Sequence, residues 1–118
     1  AQEYVAQSLA IHERRGDLLG QGHALANLGV LAEVQGLSSE ARQYGERAFA
    51  AHERTGYKRF MAVAANNVAV ACYDDEDFVD SVRWSTRAAT TAEEIRDDYA
   101  LAFAYLNQGR ALVRLGIW

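Results

Sequence analysis

The sequence predicts an all-α chain built as an array of antiparallel helix pairs, and three observations carry that prediction. Half of the 118 residues are hydrophobic, yet aromatics make up only 10% and there is no proline. Alanine supplies much of the apolar fraction, which favours close-packed helices because Ala has the best helix propensity and little bulk. An internal repeat runs on a 40-residue offset: Asn27-Leu28-Gly29 aligns with Asn67-Val68-Ala69 and with Asn107-Gln108-Gly109. Within each unit, apolar residues recur at three and four positions, as in Leu25, Leu28, Leu31 and Ala32 or Ala64, Val68, Ala71 and Cys72.

The repeat extends beyond the asparagines. Nine residues after each Asn come Gly36, Glu76 and Gly116; Ala48 matches Ala88, and Ile11-His12-Glu13-Arg14-Arg15-Gly16 matches Ala51-His52-Glu53-Arg54-Thr55-Gly56. Such self-similarity is the mark of a stacked architecture in which no unit buries its apolar face alone.

The elements follow in order. A first helix over 1–15 ends at Gly16, a residue suited to the left-handed C-terminal cap. A second over 18–35 carries the Leu25–Ala32 stripe and stops at Gly36. A third over 38–55 takes Ser38 or Ser39 as its N-cap and stops at Gly56. The fourth, 58–74, carries the Ala64–Cys72 stripe; the fifth, 77–95, is capped by Asp77; the sixth, 98–115, stops at Gly116. Each spans about 25 Å at ~1.5 Å per residue. Loops this short make neighbours antiparallel. The chain is expected to be one domain fragment of units 1–16 (partial), 17–56, 57–96 and 97–118 (partial).

Charge and composition exclude several classes. Twelve basic and 16 acidic side chains give a net charge of −4 with no block of one sign. A nucleic-acid domain would need a basic patch to displace counterions from phosphates. The one cysteine forms no internal disulfide. The longest apolar stretch, Met61 to Tyr73, is interrupted by Asn66 and Asn67 and is too short to span a bilayer. With no signal-peptide pattern either, a cytoplasmic location without membrane contact is expected. The only Met is Met61, and both ends read as cuts through a longer protein. Phe103, Leu106, Leu112, Leu115, Ile117 and Trp118 are then candidates for exposure, and self-association through the terminal helices is expected.

No residue set points to catalysis, a metal or a cofactor, so the chain is not expected to be an enzyme. His12 and His52 are repeat equivalents on successive helices, and none of His12, His23 and His52 has a second ligand at i+4. Cys72 falls in the core stripe with no base beside it. Gly20-x-Gly22 follows no strand and lacks Gly-Lys-Ser/Thr. Asp74-Asp75-Glu76-Asp77 lacks the glycine turn and terminal glutamate of a calcium loop and reads as a turn and helix cap.

The repeat resembles the tetratricopeptide family. Its helix A pattern (a bulky residue, then Leu-Gly, then an aromatic) and the small contacts of its helix B map here onto Leu25, Leu28, Gly29, Ala32, Ala41 and Ala48. The second unit gives Ala65, Val68, Ala69, Cys72, Ser81 and Ala88; the third gives Tyr105, Gln108, Gly109 and Leu112. The sequence departs from that pattern at Gly45 and Ser85, where the family has Phe, in lacking the terminal Pro, and in a period of 40 against the usual ~34. Units of this length look like the arrays of large bacterial signal-transduction ATPases and LuxR-type transcription activators.

The resemblance implies a right-handed superhelix whose helix A positions line a concave groove. There Asn27, Asn67 and Asn107 would meet a ligand's main chain, an amide supplying both donors and an acceptor. His23, Asn66, Tyr73, Arg110 and Arg114 would share that groove. It further implies a protein or peptide partner, or a small-molecule inducer, acting on a regulatory scaffold. The alternative is a structural or oligomerisation array in which the asparagines only bond between repeats. Ala26, Val30, Asn66 and Val70 stand where the family's carboxylate-gripping domains carry Lys and Arg, so that grip is not expected here.

Overall fold

A computed structural model describes residues 2–117, and all of its regular structure is helical. The helices are α1 (Gln2–Arg15), α2 (Leu18–Val34), α3 (Ser38–Thr55), α4 (Lys58–Asp74), α5 (Phe78–Glu94) and α6 (Asp98–Arg114). Each lies within a residue or two of its expected range.

One connection geometry joins all of them. A single residue turns left-handed, and the next N–H returns to the carbonyl five residues earlier, a pattern that satisfies the helix's last carbonyls. These bonds are Asp17 N to His12 O, Leu37 N to Ala32 O, Tyr57 N to His52 O, Asp77 N to Cys72 O, Asp97 N to Ala92 O and Ile117 N to Leu112 O, at 2.8 to 3.2 Å. Gly16, Gly36, Gly56 and Gly116 supply the left-handed residue at φ of 67 to 79°, but Glu76 (φ 60°) and Arg96 (φ 56°) supply it without glycine's freedom.

The starts are less uniform. Asp17, Asp77 and Asp97 accept from the N–H three residues on, at 3.0 to 3.1 Å. The helix of Ser38 and Ser39 departs from expectation. Leu37 holds its N-cap place with no side-chain bond, Ser38 is already helical, and its hydroxyl donates to Asp75 Oδ1 at 3.4 Å. Tyr57 likewise leads α4 without a side-chain cap.

Consecutive helices pack as hairpins, and small residues set how close they come. A β-carbon on Gly29 would lie 3.5 Å from the Ala41 carbonyl oxygen of α3, and one on Gly45 only 2.7 Å from Val68 Cγ2 of α4. Ala48, Ala65, Val68, Ala69, Cys72 and Ala88 are fully buried along this seam. Glycine and alanine at such contacts bring axes to the short end of the usual helix spacing.

The stack curves because its two sides differ. On one side α2 packs on α4, and α4 on α6. Backbones of α3 and α5 make no such approach and are bridged by long side chains. The Arg42 guanidinium reaches Asp77 at 2.9 Å and also pairs with Asp80, while Arg42 Nε holds Glu46 at 3.0 Å. Phe49 meets the Trp84 ring edge-on at 5.2 Å, with Arg87 4.7 Å over each ring. The even-numbered helices therefore form the inner face. Of the residues expected to be exposed on α6 and beyond, Phe103, Leu106, Leu115 and Ile117 are, whereas Leu112 is half-buried on its helix's inner turn; Trp118 lies outside the described residues. Among the described residues no helix is long and apolar enough to cross a membrane.

Candidate binding groove

The inner face is not smooth. Between α2 and α4 a cavity of about 250 Å³ penetrates to the small residues of α3. Gly29, Gly45 and Ala48 leave the space; Val30, Val34 and Val70 wall it, Asn67 stands at the rim, and Phe103 of α6 closes the far side. A second recess of about 380 Å³ lies between α4 and α6, with Arg59, Val63, Asp97 and Tyr99 around it, and shares Asn67 and Phe103 with the first. The two form one trough crossing three helices, apolar toward α2 and mixed toward α6.

The asparagines separate into two groups. Asn27 is exposed and Asn67 half-buried; among the described residues neither side chain has a hydrogen-bond partner. Asn66 and Asn107 are both only 4% exposed. Asn66 Nδ2 donates to the Ala100 carbonyl and Asn107 Nδ2 donates to Asn66 Oδ1, each at 3.3 Å. The expected groove pair Asn66 and Asn107 is thus consumed in fastening α4 to α6, as buried amides must be. Asn67, half-buried where it lines the cavity, is not drawn into that junction.

Tyr73, Arg110 and Arg114 come together at the far end of the same face. Arg110 stacks 4.5 Å over the Tyr73 ring; Arg114 lies 4.7 Å over Phe78 and 5.9 Å over Tyr73. The two rings themselves meet edge-on at 5.2 Å. Stacking leaves the planar guanidinium edge free to donate. Both arginines are exposed. His23 is not part of the trough. Its ring packs edge-on against Phe60 at 4.6 Å and 5.3 Å from His52, in a cluster where the starts of α2 and α4 meet the end of α3.

Glu33 is a trough residue that sequence reading passed over. Burial, then the neighbouring Asp74 carboxyl, push its pKa up to about 7, well above the usual carboxylate range. Val34, Arg59 and Asp97 were also not singled out, and Val30 and Val70 were weighed only as carboxylate-grip positions and Phe103 only as a candidate for exposure. The legible signal was Val30 and Val34: apolar side chains on the face opposite the Leu25–Ala32 stripe, 50% and 80% exposed.

Burial pushes the Cys72 thiol up to about 12, which leaves it protonated and unreactive at neutral pH. Among the described residues no group of three or more His, Cys, Asp or Glu could hold a metal ion. Comparison with protein-family models and with curated proteins returns no match for this chain.

Proposed function

We propose that the chain is a protein-interaction array whose inner face binds an extended peptide. The carrying observation is the apolar cavity between α2 and α4 with the unpaired Asn67 amide at its rim. Such a site takes one bulky apolar side chain and bonds the adjacent main chain, the division of labour by which extended peptides are recognised. The 40-residue repeat, through its resemblance to the arrays of bacterial regulators, supports a place as the cytoplasmic sensor portion of a multidomain transcriptional or signalling protein. A small-molecule inducer of similar apolar character is the other ligand this cavity fits.

The test is selection of peptides from a random library on the purified chain, followed by titration of Asn67→Ala and Val70→Asp. Selected peptides should share an aliphatic or aromatic anchor. Val70→Asp should abolish binding and Asn67→Ala weaken it about tenfold, the value of one ~1.4 kcal/mol interaction, with helicity unchanged. Binders indifferent to both substitutions would defeat the reading.

A second reading, a structural array without a groove ligand, draws on the Asn66–Asn107 bond, which spends one of the three aligned amides, Asn107, on joining helices. It expects Asn107→Ala to loosen the α4–α6 junction, and no selected peptide to depend on the trough.

A further inference from the structure

Two positions recur near the C-terminal ends of α2, α4 and α6, and their chemistry changes from unit to unit. Val30, Val70 and Arg110 are equivalent on the 40-residue repeat, as are Val34, Asp74 and Arg114. These places stay open when the next unit packs alongside: Val30 and Val34, with α4 beside their helix, are still 50% and 80% exposed. The two arginines therefore stand where the repeat faces its groove. Aromatic faces of the preceding unit hold them there, Tyr73 under Arg110 at 4.5 Å and Phe78 under Arg114 at 4.7 Å. A guanidinium lying on a ring keeps its fork of N–H donors unspent. Among the described residues neither arginine is in an ion pair, although Asp74, Asp75 and Glu76 directly follow Tyr73. Toward α2 the charge has the opposite sign, because Glu33 on the cavity wall neighbours Asp74.

We infer that the peptide bound in the trough carries an acidic side chain about three residues from its apolar anchor, on the α6 side, gripped by the forks of Arg110 and Arg114. The spacing follows from the repeat. Val70 walls the cavity and Arg110 is its equivalent one helix on. The two are thus a helix spacing of about 10 Å apart, the reach of roughly three extended residues at ~3.3 Å each. A planar fork on a fixed ring suits a carboxylate, which accepts two parallel N–H bonds. An acidic residue toward α2 would meet Glu33 and Asp74 instead, so the rim selects one side of the anchor. The inference rests on the inner face being a peptide groove, and adds the ligand's charge and where along it that charge falls.

The probe is an array of fluorescein-labelled nonapeptide amides with a central Leu or Phe in an Ala-Ser background. Each carries one Glu, Gln, Lys or phosphoserine at a set distance to either side, and the amide end leaves no terminal carboxylate to compete. Glu about three residues from the anchor, on one side only, should bind about tenfold tighter than its Gln twin. Arg110→Gln combined with Arg114→Gln should erase that preference and leave the Gln twin's affinity and the helicity unchanged. Arg110→Glu combined with Arg114→Glu should transfer the preference to Lys, a gain that misfolding cannot produce. Val70→Asp should weaken every peptide in the array. Equal binding of the Glu and Gln twins, with Val70→Asp still abolishing both, would overturn the inference and leave the groove reading standing. So would a Glu preference that survives the double Gln variant, or Glu peptides that bind Val70→Asp at full affinity. Preference for phosphoserine with none for Glu would give the forks a phosphate and overturn the carboxylate. An array in which no peptide binds would end the groove reading and the inference with it.

Discussion

Gly22, His52 and Phe60 at one junction, and Ala62, Ala92 and Ala100 at the next, occupy equivalent places and fill them in opposite ways. At the first, two rings lie across a glycine gap: a β-carbon on Gly22 would fall 2.4 Å from His52 Cε1, and His52 sits 5.2 Å from Phe60. At the second, three alanines pack against one another with exposures of 0, 0 and 6%. Equivalent places in the repeat are thus filled by two rings over a glycine in one unit and by three small side chains in the next. The two solutions differ in polarity. His52 is 2% exposed, its Nδ1 has no hydrogen-bond partner among the described residues, and burial followed by the neighbouring His23 lowers its pKa.

The largest expected effect comes from breaking the ring-filled junction. His52→Ala leaves a void beside Gly22 and should cost about 2–4 kcal/mol in urea denaturation. Gly22→Ala alone should cost about 1–3 kcal/mol by overpacking against the imidazole. Combined, they recreate the Ala62–Ala92 pairing, and the double variant should be more stable than the sum predicts by about 1 kcal/mol or more. Strict additivity would mean that the two residues do not share one space.

Acid sharpens the same contrast. A histidine whose folded pKa lies below its unfolded value contributes full stability above the unfolded pKa, near 6.5, and loses it as pH falls from there toward the folded pKa. Below about pH 6.5, the wild-type chain should lose stability more steeply than His52→Ala, by at most ~1.4 kcal/mol per pH unit for one proton. Parallel profiles for the two proteins from pH 7.5 to 5 would remove His52 as the cause.

The smallest effect compares two equivalent turns. Gly36 and Glu76 adopt the same left-handed conformation, at φ of 76° and 60°. Glu76→Gly should gain, and Gly36→Glu lose, about 1 kcal/mol in thermal denaturation, since only the side chain's steric penalty is exchanged.

That turn also explains why most of the fold was legible. Left-handed residues and aspartate caps punctuate the chain at fixed intervals, and the apolar stripes between them have helical spacing, so all six helices could be placed from local chemistry. Ser38 misled because two serines just after the helix-stop Gly36 satisfy the cap pattern, whereas the helix begins directly after Leu37. The groove was harder to see. Its cavity exists because Gly29 and Gly45, on different helices, come face to face, and no spacing in one helix announces a gap between two. The asparagine alignment was real in sequence, but Asn107 bonds to Asn66 rather than standing beside Asn67, because the helix pair α4–α6 fixes which amide points inward. The Glu33–Asp74 pairing is likewise a contact between helices, invisible until they are packed.

The bridges between α3 and α5 bear on the mechanics of the whole stack. Its inner side is set by the direct approach of α2 to α4 and of α4 to α6, the latter fastened by the Asn66 and Asn107 amides. Its outer circumference is set by struts, the Arg42 ion cluster and the Phe49–Trp84–Arg87 stack, whose length depends on side-chain conformation and, for the ions, on screening. The chain is therefore a bent leaf with a stiff inner layer and an adjustable outer one. Salt, or anything that draws Arg42 away from Asp77 and Asp80, slackens the outer layer and changes the curvature of the trough without touching a residue that lines it.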